Sequence, residues 1–204
     1  MMRKTMNRVA LIIMIKNPVL GKAKTRIAAT TGDEEALRIY RLLLDYTRKV
    51  AEATSVDRYL YYSDYIEDDV WSSEVFNKRV QARGDLGNRL RDAFSTLSKD
   101  YDKMIVIGSD CAGITSNHIL TAAAALDNSD MVLGPVHDGG YYLLGMNGYY
   151  PEIISDIEWS TDAVTSQTLS KAESINLSTT KIETLHDIDY HEDWLTYGLE
   201  TEKH

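Results

Sequence analysis

Unbroken apolar runs alternate along this chain with segments whose apolar positions recur every three or four residues. Val9–Ile15 (VALIIMI) and Met104–Gly108 (MIVIG) are continuous apolar stretches rich in β-branched residues. Such runs are expected of central strands buried on both faces. Arg58–Ser63, Arg79–Ala82, Met131–Pro135, Tyr141–Met146 and Thr180–Leu185 are the remaining predicted strands. Helical spacing joins Ala36, Ile39, Tyr40, Leu43, Tyr46 and Val50. Thr31 and Glu34 stand at capping-box distance and would start that helix. Further helices are predicted over Asn88–Ser98, Ser116–Leu126, Thr161–Ala172 and His191–Leu199, with Val70–Phe76 a short helical candidate. Ser160 or Thr161 would cap the helix that starts there.

Strands that alternate with helices predict an α/β layered fold with a mainly parallel sheet. The HDGG connection (residues 137–140) is too short for a helical crossover. The strands on either side of it are therefore antiparallel or not neighbours. No internal repeat, low-complexity tract or Pro/Ser-rich linker interrupts the pattern, so a single domain over 1–204 is expected.

Charge changes this picture. The net charge is −9, which argues against general nucleic-acid binding. Yet residues 1–32 hold seven Lys/Arg and no Asp/Glu, leaving 15 basic and 31 acidic residues in the rest. A local cationic region on an acidic protein suits a small, concentrated anion such as a phosphate. Arg3, Lys4 and Arg8 read as a solvated basic N-terminus. The single cysteine, Cys111, makes an intrachain disulfide impossible and fits a reducing compartment. The Val9–Ile15 run is too short to span a bilayer, and no small-residue cleavage site follows it. A cytoplasmic protein with no membrane span is expected.

In open α/β sheets ligands bind at the carboxyl ends of the strands. The loop after the first strand carries Lys22, Lys24 and Arg26 beside a Pro18/Gly21 turn, and the loop after MIVIG carries Ser109, Asp110 and Cys111. If the two strands are neighbours, cations and a carboxylate face one crevice, as a phosphate with a divalent cation would require. The basic loop is no P-loop, because Ala23 stands where Ser or Thr is needed, and it lacks the G-x-G-x-x-G dinucleotide fingerprint. Arg grips phosphate oxygens in bidentate fashion and Lys supplies a point charge. Asp138 in HDGGYYLLG is a candidate general base or sugar-hydroxyl ligand, and Gly139 and Gly140 would let backbone approach a ligand. Trp159, Ser160 and Thr161 stand before a predicted helix start, a second possible anion site. Among Asp187, Asp189, Glu192 and Asp193, one carboxylate could complete a metal site with Asp110. No HExxH or other zinc spacing occurs. Cys111 reads as a packed residue rather than a nucleophile.

The segments NPVLGKAKTRIA, GDLGNRL, IGSDCAGIT, GPVHDGGYYLLG, WSTDAV and LHDIDYHEDW, in this order and spacing, resemble the DUF2064 family. Its members are labelled glycosyltransferases of the GT-A superfamily, or radical-SAM/selenodomain-associated transferases. The resemblance implies a three-layer α/β/α nucleotide-diphospho-sugar transferase fold with a mixed, mostly parallel sheet. It implies that Gly21, Lys22, Lys24 and Arg26 hold nucleotide phosphates, and that Asp110 and Asp189 bind Mg2+ or Mn2+. Asp138, Gly139, Gly140, Trp159, Ser160 and Thr161 would face a small-molecule acceptor. The chain departs from the family at Ala112 and Leu20, where Pro is common, and at Tyr190-His191, where Thr-Pro is common. The expected function is metal-dependent transfer from a nucleotide sugar. The alternatives are nucleotidyl transfer from a nucleoside triphosphate with release of pyrophosphate, and a non-catalytic nucleotide-binding protein.

Overall fold

The computed structural model describes residues 8–199. Arg3 and Lys4, read above as solvated cations, lie outside them. Among the described residues seven strands form one sheet: β1 (Val9–Ile15), β2 (Asp57–Tyr62), β3 (Asn77–Val80), β4 (Lys103–Ile107), β5 (Met131–Pro135), β6 (Tyr141–Asn147) and β7 (Thr179–Lys181). Their spatial order is β3-β2-β1-β4-β6-β5-β7. All neighbours pair in parallel except β6, which runs antiparallel to both β4 and β5. The short HDGG turn therefore makes a hairpin, as its length requires.

The alternation along β1 shows how the layers are built. Leu11, Ile13 and Ile15 pack into one core with Leu37, Tyr40 and Leu44 of α2 (Asp33–Glu52) and Ile119 and Ala122 of α4 (Ser116–Ala125). Ala10 and Ile12 point the other way, to Leu90, Phe94 and Leu97 of α3 (Leu86–Leu97) and Ala172 of α5 (Val164–Ser174). Period-two side chains on a sheet covered on both faces give a three-layer α/β/α arrangement. A third apolar cluster joins Ile27 of α1 (Thr25–Thr31), Ile39 and Leu43 of α2, Ile188, and Trp194 of α6 (His191–Tyr197). It ties the segment after β7 back onto the loop after β1.

Some local expectations fail. Thr31 is not a cap: it closes α1, and its hydroxyl donates back to the Ile27 carbonyl. Gly32 separates the two helices at φ 87°, and α2 starts there without a side-chain cap. Residues 70–76 are turns, held by burial of Trp71 against Phe76, whose rings meet edge to face at 4.9 Å. The helix expected from Thr161 starts only at Val164; Ser160 stands at φ 64°, and the Thr161 hydroxyl donates to the Glu158 carbonyl within the preceding turn. Arg8 pairs with Asp57 on the surface rather than standing alone. Among the described residues no helix is long and apolar enough to cross a membrane.

Candidate active site

β1 and β4 are adjacent and parallel, so the loops that leave their carboxyl ends lie side by side. A cavity of about 730 Å³ opens there. Its lining includes Lys22, Lys24, Arg26, Asp110, Asp138 and Asp189, with Gly140, Trp159, Ser160 and Thr161 on the far wall. Gly21 and Gly139 are not brought to its surface. Both shape the turns instead: Gly21 at φ 73° bends the cationic loop, and Gly139 at φ 93° packs so tightly that an added Cβ would lie 2.2 Å from the Asp162 carbonyl oxygen.

Lys24 joins the two loops. It precedes α1 in the left-handed conformation, φ 48° and ψ 48°. That region is costly for a residue with a Cβ and is kept only where the surroundings enforce it. The side chain is 6% exposed, and its ammonium lies 2.6 Å from Asp110 Oδ1 and donates to the Ile188 carbonyl at 2.6 Å. Arg26 donates to Asp189 Oδ2 at 2.6 Å, and its guanidinium lies over the Tyr190 ring, 5.5 Å from the centroid. Asp189 is also 3.8 Å from the Lys24 ammonium. Lys22 makes no ion pair with any described residue and stands exposed at the mouth.

Asp187 stands out electrostatically. Burial pushes its carboxyl up to about 7, and Asp110, Asp138 and Asp189 add to the rise while the Lys24 ammonium opposes it. It accepts no hydrogen bond from the described residues. Oxygen donors gathered against a desolvated carboxylate are the chemistry a hard divalent cation demands. Among the described residues no three Asp, Glu, His or Cys side chains already stand at ligating separation. The Lys24 ammonium sits against Asp110 in the same place. The residues thus fit a divalent cation in type: Asp110 is engaged by Lys24 and Asp189 by Arg26, while Asp187 has no such partner among the described residues.

Burial drives the Cys111 thiol up to about 12, the opposite of the lowered value an activated nucleophile needs. Asp138 is exposed, and its Oδ1 accepts the Gly140 N–H at 3.0 Å. Thr165 fixes this hairpin: its N–H donates to the Gly139 carbonyl and its hydroxyl to the Gly140 carbonyl. Trp159 meets the Tyr141 ring edge to face and covers Gly87 on α3.

Sequence reasoning gave no role to Gln81, Arg89 or Asp162, which also line the cavity. Gln81 follows β3, and its amide donates to the carbonyls of Ile15 and Tyr61 at 2.9 Å each. Arg89 donates to Gln81 Oε1 and to the Gly84 carbonyl. The rule that singled out the loops after β1 and β4 points equally to the end of β3, once that strand is known to lie in the same sheet.

The family model described as "Uncharacterized protein conserved in bacteria (DUF2064)" matches residues 45–161. Among curated proteins, a 2-phospho-L-lactate guanylyltransferase from Methanosphaera stadtmanae is 26% identical over 155 residues, 71% of this chain and 64% of the relative. This chain thus spans less than two thirds of that relative's length. Among solved structures, a protein of Desulfovibrio desulfuricans provisionally named a nucleotide-diphospho-sugar transferase is similar, with a TM-score of 0.83 and 25% identity. That match covers 91% of this chain and 84% of the other. A manganese complex of the Rv0371C protein of Mycobacterium tuberculosis shares the fold, with a TM-score of 0.56 and 11% identity over 95% of this chain and 98% of that one.

Proposed function

The chain belongs to the DUF2064 family, and we propose that it is a metal-dependent transferase that takes a nucleotide-activated donor, with glycosyl transfer from a nucleotide sugar as its reaction. The observation that carries this reading is the 2.6 Å contact between Lys24 and Asp110. It brings a cationic turn and a carboxylate from two different strands into one cleft, as a diphosphate with its counter-ion requires. Lys22, Lys24 and Arg26 would hold the phosphates, with bidentate geometry available to Arg26 once it leaves Asp189. Asp110 and Asp187 would hold Mg2+ or Mn2+. The bound ion would supply positive charge to the diphosphate leaving group. Asp138, exposed at the opposite wall, would receive the proton of the attacking group. The similarity to a protein named for nucleotide-diphospho-sugar transfer supports this reading, and the manganese held by a protein of the same fold supports the choice of ion.

A second reading is nucleotidyl transfer, in which a nucleoside triphosphate reacts with a phosphorylated acceptor and releases pyrophosphate. The partial match to a guanylyltransferase favours it. Both reactions use the same cations. A thermal-shift screen separates them: nucleotide sugars and nucleoside triphosphates, each with Mg2+ and with Mn2+, on the wild type and on Asp110→Asn. A nucleotide sugar at a hundred times its dissociation constant should add about 2.7 kcal/mol of stability. The substitution should abolish the metal-dependent part. Stabilisation by intact triphosphates alone would favour the second reading, and a shift that survives in Asp110→Asn would remove Asp110 from the metal site.

A further inference from the structure

The cleft is divided by charge. Five cations line it, Lys16, Lys22, Lys24, Arg26 and Arg89, and all come from the loop and helix after β1 or from α3 beyond β3. Five carboxylates line it too: Asp110, Asp138, Asp162, Asp187 and Asp189. These follow β4, β5, β6 and β7. Two ion pairs close the boundary between the charges, Lys24 with Asp110 and Arg26 with Asp189, each at 2.6 Å, so the acidic side proper is that of Asp138 and Asp162. Among the described residues no Lys, Arg or His lines the half beyond β4. On the cationic side, by contrast, Lys16, Lys22 and Arg89 pair with no described carboxylate. The phosphates of a nucleotide have one half available to them, and the acceptor must use the other.

What that other half can recognise follows from its chemistry. Its carboxylates are acceptors only, so they receive hydroxyl or amino protons and repel anions. Asp138 has one oxygen that takes no hydrogen bond from a described residue, and Asp162 is exposed at the rim. With Asp189 paired to Arg26 and a divalent ion between Asp110 and Asp187, Asp138 and Asp162 are left without a counter-charge among the described residues. Trp159 supplies an indole wall against which an apolar ring face packs.

We propose that the acceptor is an uncharged polyhydroxylated molecule, a sugar or polyol, held by Asp138, Asp162 and Trp159, and that this half of the cleft rejects acceptors that carry a phosphate or carboxylate. The inference rests on the transferase reading above and selects glycosyl transfer within it. In that reaction the acceptor hydroxyl oxygen bonds to the donor's anomeric carbon. The bond from that carbon to the diphosphate oxygen breaks, with its electron pair staying on the diphosphate. The hydroxyl proton passes to Asp138.

The test uses the full chain with Mn2+ and saturating UDP or GDP, whichever raises its melting temperature. Ligand-observed NMR then compares matched pairs: glucose with glucose 6-phosphate, and glycerol with glycerol 3-phosphate. The neutral member of each pair should bind at least about tenfold more tightly, the ratio that 1.4 kcal/mol corresponds to. Asp162→Lys, on an exposed loop, should narrow or reverse the ratio, and Trp159→Ala should weaken the neutral members. Tighter binding of the phosphate esters, no discrimination between the members, or an unchanged ratio in Asp162→Lys overturns the proposal. Discrimination between the pairs without any nucleotide-induced shift would keep the acceptor assignment and end the transferase reading instead.

Discussion

The proposed site rests on Lys24 and Asp187, and each predicts something measurable. The Lys24 ammonium satisfies a carboxylate and a backbone carbonyl from inside the protein. Truncation to Ala leaves both without their donor, which should cost about 1–3 kcal/mol in urea denaturation. It should also remove nucleotide binding, whereas Lys22→Ala, at the exposed mouth, should weaken binding at little cost to stability. Asp187 has a carboxyl raised to about 7 by burial and by its acidic neighbours. The folded state therefore holds a proton that the unfolded chain releases near the ordinary Asp value of about 3.9. Its contribution is fully present below that value and is lost as pH rises through 7. With divalent ions chelated, denaturation curves should show lower stability at pH 8 than at pH 5, and Asp187→Asn should flatten that difference. A cation favours the ionised carboxylate, so metal affinity in the wild type should rise over the same interval. The sequence already placed Asp187 in a cluster of carboxylates. The family resemblance pointed to Asp189 instead, and the Arg26 contact that occupies Asp189 spans 163 positions of the chain, beyond what the sequence shows.

Among the elements, α3 and the HDGG hairpin set the walls of the cleft. Asp85 caps α3 by accepting the Asn88 N–H at 2.8 Å, so Asp85→Ala should cost about 1 kcal/mol. Gly87 lies under the indole of Trp159, and a Cβ there would come within 2.8 Å of the ring nitrogen. Gly87→Ala should therefore shift the tryptophan fluorescence and weaken acceptor binding more than nucleotide binding. Apolar runs and glycine turns made the strands and this hairpin legible, since burial on both faces leaves a strong compositional mark. Helix starts were less legible. Thr31 has the composition of a cap, yet it closes the short helix α1, which no periodicity announced. Ser160 and Thr161 also look like caps, but Thr161 bonds back to the Glu158 carbonyl within its turn while Thr165, one residue into α5, ties the helix start to the hairpin. In each case tertiary packing outweighed a local preference of about a kilocalorie per mole or less.

At the scale of the whole molecule, sheet order converts sequence positions into a charge gradient. Residues 16–26 and residues 110–189 are far apart in the chain, and only the adjacency of β1 and β4 makes them the two sides of one cleft. On the proposed reading, a protein of net charge −9 holds an anion at one end of a pocket whose other end repels it. Nucleotide affinity should fall as salt rises, because the exposed Lys22 is screened. The most direct test of the shared cleft is paramagnetic broadening by Mn2+ added together with a nucleoside diphosphate to isotope-labelled protein. Amide signals of residues 22–26, 108–111 and 187–189 should broaden together and recover in Asp110→Asn. Broadening confined to another surface, or present at one of these loops without the others, would contradict the account.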